Sequence, residues 1–388
     1  MNLVIHDLPQ EIWESVAPRY VGCHVLGPSP DIKPCTGCFG CWLKTPGRCV
    51  LKDGFDCIAP WFCEASEVTI ISRCTFGGFS WFVKSCLDRC SGCALPLFEV
   101  DHGEMLHRAR FVGAKDMRFR FWGRAIPQEE RELAMTYARC VARSWRTQCR
   151  SIDFDDFVIE SPDKTANAIP VEPDKTVMVN FSLRNERSNT GTFLGILAEH
   201  LPCSVPVYQL HEYIDRQDEL LNILLSSSRI VLGMPMYVDG IPATVIRILE
   251  RLQNTVCNSP KQIYALTDRG MFESQQLRIP MAMIKTWCQH SGHRYCGGLA
   301  ISAAEMQGQL IRHLPMNAGP LKYVGEGLIN LAEAIALGTT IDNIYAEPAY
   351  ASRFLYVFMA NHGWMKTARQ NGVTRKELLR AEDDESLY

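Results

Sequence analysis

Gly233-Met234-Pro235-Met236-Tyr237-Val238-Asp239-Gly240-Ile241-Pro242 follows the apolar run Arg229-Ile230-Val231-Leu232 and opens a helical pattern that continues to Leu252. A short apolar run without alternation reads as a strand buried on both faces. A proline near the first helical turn reads as a helix start. The same grammar recurs on either side. Strands are expected at 176–181, within 204–210, at 262–267 and at 299–301. Helices are expected from about 190, over 218–227 and over 275–291. Strand and helix in alternation predict a parallel sheet covered on both faces.

Upstream, Leu3-Val4-Ile5 and Glu67-Val68-Thr69-Ile70-Ile71-Ser72 are further strand signals, and Phe119 and Phe121 sit in another. Asp7-Leu8-Pro9-Gln10-Glu11 reads as a helix start, 81–90 as a helix and 128–149 as a long one. Residues 160–175, with three prolines among polar residues, read as a linker. Domains are therefore expected at 1–159 and 176–388, the second ending in a helical extension.

The chain has 388 residues, 47% hydrophobic and 21% charged, with a net charge of −3. These are globular values that exclude a disordered chain and argue against a nucleic-acid binder. No apolar run reaches the roughly 18 residues of a membrane span. The amino-terminal stretch has neither the basic region nor the apolar core of a signal peptide, so a cytoplasmic protein without membrane partners is expected. Residues 107–150 hold ten Arg and one Lys against four acids. They read as a solvated helix face or, more sharply, as a docking patch for an acidic partner.

Cysteine is distributed unevenly. Thirteen of the 17 cysteines precede residue 150, and in a reducing compartment such density points to metal or redox chemistry. Cys35, Cys38, Cys41 and Cys49 are spaced C-x2-C-x2-C-x7-C, with Gly37, Gly40 and Gly47 between them. Overlapping C-x2-C steps suit an iron–sulfur cluster, while zinc usually takes two separated pairs. Redox or packing thiols remain open beside both. Cys86, Cys90 and Cys93 form a second compact set, read as buried packing.

Candidate ligand-binding residues lie in three strand-end loops. In a doubly wound sheet ligands bind beyond the carboxyl ends of the strands. The loop Asn180–Thr190 offers Ser182, Arg184, Ser188, Asn189 and Thr190 at a helix start, a setting that suits a phosphate. The second loop offers Pro235, Met236, Tyr237, Val238, Asp239 and Gly240. The third offers Thr267, Asp268, Arg269 and Gly270. No Gly-x-Gly-x-x-Gly fingerprint marks a dinucleotide fold.

These loops resemble those of the flavodoxin-like NAD(P)H-dependent FMN reductases. In that family a serine-rich first loop binds the FMN phosphate, and a Pro-Met-Tyr-Val-Asp-Gly-Ile-Pro-Ala type of loop packs on the flavin ring. The run from Lys33 to Asp53, with Ser72–Ser80 and with Lys84, Leu87, Asp88 and Arg89, resembles the iron–sulfur flavoprotein branch. The resemblance implies an α/β protein of two flavodoxin-like doubly wound parallel sheets in tandem. It also implies an NAD(P)H-dependent flavin oxidoreductase with FMN and a [4Fe-4S] cluster, an electron-accepting small molecule or protein as partner, and a homodimer. Tyr237 and Asp239 are candidate proton donors. A non-catalytic electron carrier and a cysteine-based redox sensor are the alternatives. Beyond the first strand, His6-Asp7-Leu8-Pro9-Gln10 lacks the serine cluster, and the Asp7 carboxylate would repel phosphate. The first domain is therefore expected to carry a degenerate phosphate loop.

Overall fold

Strand order in this computed structural model follows from where the apolar runs fall. The structure describes residues 1–388 except 112, 158–163, 165–168, 258 and 380–388. Two compact units share the chain: residues 1–159 with those from Arg353 onward, and residues 160–352.

The first unit contains β1 (Asn2–His6), α1 (Gln10–Val16), β2 (His24–Leu26), α2 (Gly40–Leu43), α3 (Ile58–Glu64), β3 (Glu67–Arg73) and α4 (Trp81–Arg89). A hairpin of β4 (Ala94–Asp101) and β5 (Glu104–Ala109) precedes β6 (Asp116–Trp122), α5 (Gln128–Ser144) and β7 (Gln148–Asp155). Its main sheet has the order β2-β1-β3-β6-β7, and every pairing is parallel. The second unit contains β8 (Glu172–Asn180), α6 (Asn189–Glu199), β9 (Val207–Gln209), α7 (Gln217–Ser226), β10 (Ser227–Pro235), α8 (Ala243–Gln253) and β11 (Gln262–Asp268). It continues with α9 (Arg278–Ser291), β12 (Arg294–Ile301), α10 (Ala304–Leu310), α11 (Lys322–Leu337) and β13 (Ile344–Ala346). The order β9-β8-β10-β11-β12-β13 is again parallel throughout. Counted within each unit the order is 2-1-3-4-5, the flavodoxin-like arrangement, with a sixth strand added in the second unit. The fold is α/β, with two flavodoxin-like parallel sheets in one chain.

Each sheet is buried on both faces, as its apolar runs require. Phe193, Leu194 and Leu197 of α6 and Leu328 and Leu331 of α11 pack with Val231, Leu266 and Leu299. Two buried lysines show the repeat. Lys115, just before β6, donates to the carbonyls of Cys63 at 2.9 Å and of Ala65. Lys261, just before β11, donates to those of Leu225 at 2.7 Å and Ser227 at 2.6 Å. Each ammonium satisfies carbonyls that a helix end leaves unpaired.

Several expectations are corrected. Residues from Arg353 onward do not extend the second domain but belong to the first unit. There α12 (Arg353–Gln370) and α13 (Arg375–Leu379) meet the hairpin and the cysteine loop. The Asn361 amide accepts from the Phe98 N–H at 2.7 Å and donates to the Phe98 carbonyl at 3.0 Å, so it pairs the edge of β4 as a strand would. Trp364 packs edge-on against Phe39 and Trp42. Half of the 160–175 linker falls outside the described residues, and its last four residues are the start of β8. The long helix stops at Ser144, because Arg146 takes a left-handed φ of 56° and β7 follows. Part of the basic stretch forms ion pairs. Arg143 meets Glu104 at 2.7 Å, Arg146 meets Glu99 and Asp101, and Arg150 meets Asp116 at 2.9 Å. Among the described residues, no helix is long and apolar enough to cross a membrane.

Candidate functional site

In both sheets the strand order reverses between the first and third strands of the unit, and the crevice outside their carboxyl ends is the place for a ligand. In the second unit the loops after β8 and β10 flank that point, and the loop after β11 adjoins it. The structure thus brings the three predicted segments to one sheet edge.

Ser188 is the N-cap of α6, its Oγ accepting from the Gly191 N–H at 2.9 Å, as a cap hydroxyl should. The Asn180 amide donates to that Oγ at 3.2 Å and to Gln209 Oε1 at 2.7 Å, while its oxygen accepts from the Ser182 N–H at 3.0 Å. Ser182 Oγ accepts from the Arg184 N–H at 3.4 Å. Ser182, Ser188 and Thr190 are all buried. The hydroxyls expected to meet a ligand therefore shape the loop first, the Arg184 guanidinium pairs with Glu305 at 3.7 Å, and the α6 N-terminus presents its first-turn N–H groups. Asn189 stands at the first turn of α6, where Gly308 of α10 allows close approach. A Cβ at that glycine would lie 2.6 Å from Asn189 Oδ1.

The second loop is a two-residue turn. Tyr237 and Gly240 exchange both backbone hydrogen bonds at 3.0 Å. Val238 and Asp239 between them have φ of 40° and 58°. For a β-branched residue the left-handed region is an outlier that the surrounding structure must hold in place, and such strain gathers at functional sites. The Met236 N–H donates to the Asp268 carbonyl at 2.7 Å, which ties this loop to the third. Pro235 ends β10 and pairs with Asp268. Thr267, Asp268 and Arg269 are buried, and Gly270 lies against Glu305. The Thr190 hydroxyl donates to the Asp268 carboxyl. Burial pushes that carboxyl up to about 7 against the Thr190 hydrogen bond, with Glu305 adding to the rise and Arg184 opposing it. Tyr237 and Asp239 lie on the turn, Asp239 buried and Tyr237 partly exposed.

The first unit repeats this frame and fills it differently. Thr75 and Gly78 exchange hydrogen bonds at 2.9 and 3.0 Å around Phe76 and Gly77, both at positive φ. The Gly77 N–H donates to the Glu130 carboxylate at 2.9 Å. Asp7 does not cap α1, whose N-cap is Pro9. Its carboxyl instead accepts from the Arg73 N–H at 2.9 and 3.0 Å and from the Trp122 indole at 2.7 Å. Two carboxyl groups thus occupy the Arg73 and Gly77 backbone donors of the first unit.

The cysteine loop lies elsewhere in the first unit, over α4 and the 3-10 turn Cys90–Cys93. Cys35, Cys38, Cys41 and Cys49 are electrostatic neighbours. Burial first, then Asp88, Cys38 and Cys49, pushes the Cys35 thiol up to about 12. Burial and the other three cysteines also raise Cys41. The Gly37 and Gly40 N–H groups donate to the sulfurs of Cys35 and Cys38 at 3.5 and 3.4 Å. Among the described residues, no group of three or more His, Cys, Asp or Glu side chains is drawn together on a metal-holding centre. The donor set nonetheless fits a cluster chemically: four neighbouring thiols, N–H groups on two sulfurs, and a buried Arg89 whose Nε lacks a partner.

Sequence reasoning missed Asn180, Gln209 and Glu305, since none belongs to a motif. Ala303, with a left-handed φ of 46°, joins β12 to α10, and Glu305 in the first turn of α10 lies against Gly270.

No protein-family model matches the chain, and no curated protein matches it. Solved structures do. An azoreductase from Bacillus anthracis str. Sterne shares 15% identity at a TM-score of 0.31, covering 42% of this chain and 98% of its own. The azoreductase AzrA gives 15% and 0.31, covering 42% and 99%. The Trp repressor binding protein from Bacillus subtilis gives 14% and 0.28, covering 36% and 99%. At these scores the likeness adds nothing to the strand order, on which the fold assignment stands.

Proposed function

We propose that the chain is an FMN-dependent oxidoreductase that takes electrons from NAD(P)H or a reduced partner and delivers them to a small-molecule or protein acceptor. The observation that carries this reading is the meeting of three loops at the switch point of the second sheet. One brings a helix N-terminus and Arg184, one a strained turn, and one a buried carboxyl. When bound, FMN supplies the hydride and single-electron chemistry. The α6 N-terminus and Arg184 hold its phosphate. The turn at Tyr237–Gly240 orients the ring, and Thr267–Gly270 close its other edge. Asp268, poised near neutrality and hydrogen-bonded by Thr190, holds or releases a proton at that edge. The two carboxyl groups of the first unit support one FMN per chain.

The four-cysteine loop is the proposed seat of a [4Fe-4S] cluster, supported by its spacing, its N–H···S contacts and the unpaired Arg89 Nε. The protein as purified should carry one FMN per chain and oxidise NAD(P)H with quinone or dye acceptors. The Arg184→Ala variant should lose most of the flavin, because a hydrogen bond to a charged oxygen contributes about 1.5–3 kcal/mol. Stoichiometric FMN retained in that variant overturns the site. FMN without NAD(P)H oxidation makes the protein a carrier.

A further inference from the structure

The ends of the cysteine loop are tied together by one side chain. Arg89 closes α4, and its side chain has no exposed surface. Nη1 donates to the Lys33 carbonyl at 3.2 Å and to the Asp53 carboxylate, and Nη2 donates to the Leu51 carbonyl at 3.0 Å. The Lys33 N–H donates back to Asp53 at 2.9 Å. Residues 33, 51 and 53 bracket the four cysteines, so one planar fork holds both ends of the loop. Lysine, with a point charge and no fork, cannot reproduce that geometry.

Cys49 is an electrostatic neighbour of the same guanidinium. Its Nε is buried and has no partner. A donor left in that state is costly, and buried polar groups are almost always satisfied. The unmet donor therefore belongs beside the acceptor-rich content of the loop. A second buried guanidinium, Arg110, donates to the Gly92 and Leu378 carbonyls.

We propose that Arg89 is the positioning residue of the centre held by Cys35, Cys38, Cys41 and Cys49: it fastens the loop ends and donates Nε–H to a sulfur of that centre. This rests on the reading of the loop as a cluster site. Its charge favours the more negative, reduced state of the centre. Arg89→Gln removes the charge and leaves the Asp53 carboxylate beside the loop, which opposes reduction.

The test uses the full chain, purified anaerobically, with three readouts: iron and acid-labile sulfide content, the reduction midpoint of the cluster, and the rate of iron release to a chelator. Arg89→Gln should lower the reduced-to-oxidised ratio at a given potential about tenfold, roughly 59 mV for one electron. It should also release iron several-fold faster. Arg89→Lys should keep the midpoint and still release iron faster, because the charge remains while the fork is lost. A wild-type midpoint and release rate in Arg89→Gln overturns the inference alone. If circular dichroism shows Arg89→Gln unfolded, Arg89→Lys decides: a wild-type release rate overturns the inference. A wild-type protein without iron and sulfide overturns the cluster reading itself.

Discussion

Asp268 is the residue whose chemistry is most displaced by the fold. A carboxyl raised from its ordinary value to about 7 binds its proton more tightly folded than unfolded. Its contribution to stability is complete below pH 4 and is lost as pH rises through 7, because the folded state holds the extra proton in that window. The full difference is on the order of 4 kcal/mol. Asp268→Asn should therefore flatten the fall in melting temperature between pH 4 and 7. An unchanged slope in that variant would show that another group titrates. The raised value was not visible beforehand. The sequence places Asp268 only in a strand-end loop, whereas the Thr190 hydroxyl that meets it lies 78 residues away.

At the scale of elements, the two-residue turn after the third strand of each unit is the clearest recurring device. The first unit meets its left-handed positions with Phe76 and Gly77, and the second with Val238 and Asp239. Valine is poorly suited there and asparagine is tolerated. Val238→Asn should raise the stability of the flavin-free protein by about 1 kcal/mol, read as a higher denaturation midpoint. A lower midpoint would mean that the valine side chain packs more than its backbone strains. Type and order of these elements were legible because buried parallel strands carry continuous apolar runs. The hairpin of β4 and β5 was not, since its residues mix charge and apolarity with no clean alternation. Arg143, Arg146 and Arg150 stand at helical spacing, yet α5 ends at Ser144. Their helical spacing is coincidental: the last two reach acids on β4 and β6.

For the whole molecule, the return of the chain from Arg353 into the first unit has a measurable consequence. Asn361 satisfies both backbone groups of Phe98, and Trp364 packs edge-on at the cysteine loop. Removing residues 353–388 should expose those groups and that aromatic surface. Limited proteolysis of the shortened chain should then cut early within 33–53 and 94–109, while 170–350 keeps its resistance. Equal resistance of both regions would show that α12 contributes nothing to the first unit.

Local chemistry was enough to determine the parallel α/β architecture, the four-cysteine loop and the three strand-end loops. Apolar runs, helix starts and cysteine spacing are properties of a few neighbouring residues. Only the tertiary structure decided which groups those loops leave open. It turned the serine and threonine hydroxyls of the Asn180–Thr190 loop inward, placed Asp7 and Glu130 on the backbone donors of the first unit, and brought Arg89 to both ends of the cysteine loop. Apart from the local Ser188 cap on Gly191, each of these joins groups distant in sequence. Which distant groups meet is settled by packing, which a periodicity or a motif does not encode.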